Sequence, residues 1–227
     1  MLHSNLINRQ DIGNLFCALA NEYESLGGSN DVNIYLVGGA SIILSFDYRM
    51  STIDIDAYFK NNELLQKSII NISKKLNLQS DWINQDFVNT PSYSPKISKF
   101  ANPFSTYGKF IHLFTLEPKY LIAMKLKSSR PTGGDLDDIV MMIYEMRYKN
   151  ISITYDEIIE AYKDLYSDFS NTYDYFLEKA KTAFEIPVQD FAYLFERKEL
   201  CESDSRHLLQ IQNTVLGTVF YYNLQTL

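Results

Sequence analysis

Cysteine is scarce in this chain: Cys17 and Cys201 are the only two among 227 residues. They lie far apart and form no metal-spacing motif, and one pair builds no disulfide framework. They fit reduced thiols, and the expected compartment is the cytoplasm. No apolar run approaches the roughly 20 residues that span a bilayer, and the opening MLHSNLINRQDIG holds no apolar signal region. A basic excess is also missing. Net charge is −7 and the pI is near 5, so no broad basic face for nucleic acid is evident. A local basic patch would draw on the lysines of 96–127. No internal repeat or low-complexity tract occurs.

Apolar residues make up 46% of the chain, with 17 Tyr and 14 Phe. That is enough for one generous domain, or for a core domain with a helical appendage. The chain is organised around 33–59, NIYLVGGASIILSFDYRMSTIDIDAYF. The run 34–37 reads as a buried strand. Gly38 and Gly39 follow at once, then a helical stretch at 40–46, a polar turn at 47–51 and a second strand at 52–59. Asp54 and Asp56 are one residue apart, so on a strand both carboxylates share a face. Ile53, Ile55 and Ala57 then point to a core. Paired carboxylates raise each other's pKa unless a cation lies between them. Mg²⁺ suits such a pair, since it binds one or two carboxylates plus substrate phosphates. Glycines lacking Cβ let the backbone approach a phosphate, and the following helix offers free N–H groups.

Elsewhere, Leu15, Phe16, Leu19 and Tyr23 mark a helix over 14–26, with Asp11 as a plausible cap. A second helix covers 61–76. Trp82 and Asn84 sit in an irregular stretch, WINQDFV. Residues 89–109 read as a long loop, with a short strand at 98–101; Lys96, Lys99 and Lys109 alternate there with Tyr93, Phe100 and Tyr107. A third strand spans 110–116. Pro118 opens a helix to 128, SSRPTGG breaks the chain, and a helix starts at Asp135. Asp135, Asp137 and Asp138 crowd its first turn, where the helix dipole alone favours carboxylates. After residue 150 the pattern becomes helical at 154–166, 171–184 and 203–222. The division expected is 1–150 and a helical region, 151–227, packed on it.

Glycine pair, Ser41, Arg49, Thr52, Asp54 and Asp56 fall in the order of the nucleotidyltransferase signature. In these residues the chain resembles the AbiEii/MenT-like toxin nucleotidyltransferases and related bacterial proteins, over about 12–147. The resemblance implies an α/β (α+β) fold: a short mixed sheet flanked by helices, with a helical C-terminal part. It extends to Lys125-Leu126 and to Asp135-Leu136-Asp137-Asp138, which match a Lys-Leu helix and an Asp-x-x-Asp helix start. It therefore implies catalytic roles for Asp54, Asp56, Lys125 and Asp135, and less directly for Asp138. Mg²⁺ or Mn²⁺ would be held by Asp54 and Asp56. Gly38, Gly39, Ser41, Arg49, Thr52 and Lys125 would bind the nucleotide.

The implied activity is transfer of a nucleoside monophosphate from an NTP to RNA or protein, within a toxin–antitoxin or phage-defence pair and with an antitoxin as partner. One departure stands against this. The strand FIHLFTL carries His112 and no acid where many nucleotidyltransferases place a third carboxylate. Glu117 or Asp135 could fill that role, or the chain could be a degenerate binding module acting by protein contact.

Overall fold

The computed structural model describes residues 6–168 and 172–196. The expected helix at 203–222 and Cys201 lie outside them. The central strand is β2 (Val32–Leu36), whose Val32, Ile34 and Leu36 are buried while Tyr35 on the opposite face is half-buried. Its neighbours are β4 (Ile55–Phe59), antiparallel, and β7 (Ile111–Leu116), parallel. β5 (Ile83–Asn84) joins β4 in parallel, and β6 (Ala101–Tyr107) joins β7 in antiparallel. The five-stranded mixed sheet thus runs β5-β4-β2-β7-β6. A two-residue ribbon pairs β1 (Ile7–Asn8) with β3 (Ser51–Thr52) beside it.

One sheet face is covered by α1 (Arg9–Ser25) and α3 (Glu63–Leu76). Ile12, Phe16, Leu19, Leu65, Ile69 and Ile72 pack there on Ile34, Ile55, Ala57 and Leu113. α2 (Gly38–Ser45) links two cores: Ala40 and Ile43 belong to this one, Ile42 to the other. The second core joins α4 (Pro118–Ser128), α5 (Asp135–Tyr148), α6 (Tyr155–Leu165) and α7 (Asp174–Glu185). Short helices α8 (Val188–Phe191) and α9 (Tyr193–Glu196) follow, and Phe191 stacks on Tyr144 at 4.1 Å between centroids. This apolar cluster runs from Val37 to Leu194 and crosses residue 150 without a break.

Three local expectations are corrected. Asn8, not Asp11, caps α1; Asp11 is the reciprocal partner in a capping box, its carboxylate accepting from Asn8 N–H. Residues 97–99, overlapping the short strand expected at 98–101, form a 3-10 turn, and residues 101–107 are a strand rather than part of a long loop. Its periodicity was hidden because β6 is an edge strand, mostly solvent-facing, with Pro103 and a register shift between Pro103 and Ser105. The segment 52–59 is not one strand. It bends at Ile53–Asp54, so Ile53 is 62% exposed instead of core, while Ile55 and Ala57 are fully buried.

The centre and the edge of the sheet make a stability contrast. Ile34→Ala in the centre of the sheet should cost about 2–5 kcal/mol in urea unfolding. Phe104→Ser on the exposed edge strand should change stability by less than about 0.5 kcal/mol.

Candidate functional site

The turn from β2 into α2 is set by its glycines. Gly38 has φ +57, a conformation that side chains rarely adopt. A Cβ there would lie 2.7 Å from Asp56 Oδ2. A Cβ on Gly39 would lie 2.5 Å from Thr52 Oγ1 and 3.0 Å from Arg49 Nη2. The missing side chains thus let the first turn of α2 lie directly against Asp56, Thr52 and Arg49. No side chain caps this helix end, so its N–H groups and positive dipole end are available to an anion.

These residues open onto a cleft of about 640 Å³. Its wall includes Gly38, Gly39, Arg49, Thr52, Asp54 and Asp56. Lys125 and Asp135, remote in sequence, line it too, as do Arg130 and Asp86. Burial, and then the charge of Asp54, pushes the Asp56 carboxyl up to about 6. Asp54 accepts a hydrogen bond from Asn84 Nδ2 at 3.0 Å.

An ion network forms the far wall. Lys125 Nζ lies 2.8 Å from Asp135 Oδ1 and 2.8 Å from Asp138 Oδ2. Arg49 Nη1 reaches the same Asp138 oxygen at 2.6 Å, and Tyr48 OH donates to Asp138 Oδ1 at 3.0 Å. Arg130 closes on Asp135 with Nε and Nη2, both at 3.0 Å, and with its backbone N–H at 3.1 Å. Burial raises the Asp135 carboxyl, but Arg130 and Lys125 outweigh it and hold the group well below the usual carboxylate range. Two turns further along α5, buried Glu145 accepts the backbone N–H groups of Asp47 and Tyr48 at 2.8–3.0 Å. The helix therefore holds the loop that carries Arg49 by side chain and backbone at once.

The expected residues do not all meet. Ser41 is fully buried, does not line the cleft, and its Oγ finds no hydrogen-bond partner among the described residues. Glu117 stands exposed at the N-cap position of α4, without a side-chain capping bond, and pairs with Lys119 at 3.4 Å. His112 lies between Asp31 and Thr106 on the outer hairpin, outside the cleft wall. Asp135 has both oxygens taken by cations. Arg130 and Asp86 were not singled out from sequence. Arg130 sits in the break SSRPTGG, and only its proximity to the Asp helix start hinted at a role. Asp86 lies in the irregular stretch after Trp82.

The chain's match to known families follows this geometry. Residues 14–181 match the model of a family described as nucleotidyltransferase of unknown function (DUF6036). The chain belongs to that family. No curated protein and no solved structure matches it. The family agrees with the mixed sheet flanked by helices. No described helix is long and apolar enough to cross a membrane.

The donor set fits a hard divalent ion only in part. Among the described residues no three His, Cys, Asp or Glu side chains are placed to hold a metal. Asp54 and Asp56 supply hard oxygen donors, and Mg²⁺ commonly takes just one or two carboxylates with phosphates and water completing its shell. The two therefore fit Mg²⁺ arriving with a polyphosphate, and not a closed protein cage.

Asp56 gives a check by stability. Its raised pKa means the folded state binds a proton more tightly than the unfolded chain. That contribution is present at low pH and is lost as pH rises through about 6. Asp56→Asn should therefore raise the melting temperature of the metal-free protein at pH 7, and should flatten the pH dependence of melting between about 4 and 6. Thermal melts across that range read both.

Proposed function

We propose that the protein transfers a nucleoside monophosphate from an NTP to an acceptor on RNA or protein, with Mg²⁺ or Mn²⁺. The observation that carries this reading is the meeting of Asp54 and Asp56 with the glycine turn of α2 in one cleft. An acceptor oxygen attacks the α-phosphorus, the bond to the bridging oxygen of the β-phosphate breaks, pyrophosphate leaves, and a hydroxyl proton passes to water.

Asp54 and Asp56 would hold the metal, which supplies Lewis-acid stabilisation of charge on the phosphoryl oxygens. The free N–H groups at the start of α2 receive phosphate oxygens. Thr52 and Arg49, packed beside Gly39, stand at the same end. Lys125 contributes positive charge from the far wall. Asp135 is a positioning residue, since it binds Lys125 and Arg130 and leaves no oxygen free. The resemblance noted in the sequence supports an acceptor on RNA or protein and a role in a toxin–antitoxin or defence pair, with an antitoxin as partner.

A second reading has its own support. Asp135 is consumed by cations and Glu117 is remote, so neither adds a third carboxylate to Asp54 and Asp56. A family member that kept the fold and acts by protein contact would show such thinning.

Incubation with labelled NTPs, Mg²⁺ and total RNA or cell protein separates them. Transfer of label is expected from the wild type, with a fall of about a hundredfold or more in Asp56→Asn, as loss of metal-derived charge stabilisation worth several kcal/mol requires. An absence of labelled product together with an absence of NTP binding in calorimetry would support the contact reading.

A further inference from the structure

Large apolar side chains exposed in a cleft that also holds charged groups call for an occupant. Leu6 is 44% and Ile53 62% exposed, and both line the cleft that holds Asp54, Asp56, Lys125 and Arg130. The ribbon explains their pairing. Ile7 lies opposite Thr52 and Asn8 opposite Ser51, so the antiparallel register places Leu6 opposite Ile53. Thr52 turns inward against Gly39 and is buried, while its neighbour Ile53 turns outward at the bend before Asp54. The bend that breaks the strand is thus what brings an apolar side chain to the rim beside the carboxylate pair. Met50, 49% exposed, stands one residue beyond the ribbon.

The cleft divides by chemistry. Around Gly38 and Gly39 it offers open N–H groups, Arg49 and a carboxylate pair suited to a divalent ion. At Leu6 and Ile53 it offers exposed aliphatic surface, and Val37, Ile42, Phe87, Leu121 and Met124 add buried apolar lining. A partner made only of phosphate leaves the aliphatic part wet. A partner made only of apolar groups leaves the cations and the carboxylates unmatched. A nucleotide has both parts, and its ribose separates a flat, weakly polar base from the phosphates. Ile53 precedes Asp54 directly and Asp56 by three residues, and all three line the cleft. The aliphatic pair therefore shares one cleft with the carboxylates and the glycine turn.

We infer that Leu6 and Ile53 form a shelf on which the base of the bound nucleoside triphosphate rests. The inference rests on the proposed nucleotide reading and adds the base subsite to it. An aliphatic shelf contacts the face of a base and reads none of its hydrogen-bonding edge. It therefore contributes affinity for all four bases.

The test compares Leu6→Ser/Ile53→Ser with the wild type, using two probes with Mg²⁺ in calorimetry: each of the four NTPs, and inorganic tripolyphosphate. Both positions are exposed, so folding is retained and circular dichroism verifies it. The expected result is a five- to tenfold weaker Kd for every NTP, with tripolyphosphate affinity unchanged. Equal affinity of wild type and variant for NTPs overturns the shelf while leaving the nucleotide reading intact. An equal loss for NTPs and tripolyphosphate also overturns it, because the residues then act on the phosphate end. Failure of the wild type to bind any NTP overturns the nucleotide reading, and the shelf with it.

Discussion

Lys125, held between Asp135 and Asp138, is the interaction on which the site depends. It ties the helix after the last central strand to the start of α5. Through Asp138 the same contact reaches Arg49, and through Asp135 it reaches Arg130. Lys125 and both aspartates are buried. Buried charges are tolerated only when their partners and hydrogen bonds are complete, and loss of one partner from such a set costs about 3–5 kcal/mol. The set therefore fixes the far wall of the cleft rather than supplying free ligands to it. Its stabilisation through Asp135 exists above the acid range and disappears as pH falls, because that carboxyl is held low in the fold.

Against that closed set, Asp54 and Asp56 have no cation bound to them by an ion pair among the described residues. Burial, and then the charge of Asp54, pushes the Asp56 carboxyl upward. The contrast gives the cleft its logic. One pair of aspartates is neutralised by the protein's own lysine and arginines. The other faces the cleft with no such partner among the described residues. Gly38 and Gly39 keep the backbone of α2 so near the second pair that any side chain would collide with Asp56 or Thr52.

Much of this was legible in the sequence, and the reasons are local. Asp54 and Asp56 are one residue apart, so strand periodicity alone puts them together; the glycine pair, about fifteen residues earlier, joins them through the nucleotidyltransferase resemblance. Lys125 and Asp135 came from motif resemblance, and the tertiary fold brings them to the same cleft. What sequence could not show was how charges are shared. Asp135 looked like a ligand, but Arg130, hidden in a glycine-rich break, takes it up. Ser41 falls in the right order of residues yet is buried inside α2's packing. β6 shows no apolar alternation because an edge strand needs none, and the residue pattern assigns Ile53 to the core because the bend beside it leaves no mark in residue type.

The central claim is that a divalent ion and a polyphosphate meet at Asp54, Asp56 and the start of α2. The most direct measurement is a crystal structure with Mn²⁺ and a non-hydrolysable NTP, with the metal located by its anomalous signal. The account predicts a peak within coordination distance of both Asp54 and Asp56, with phosphate oxygens on the Gly38–Gly39 turn. A nucleotide bound elsewhere, or an Mn²⁺ peak remote from that pair, would contradict it.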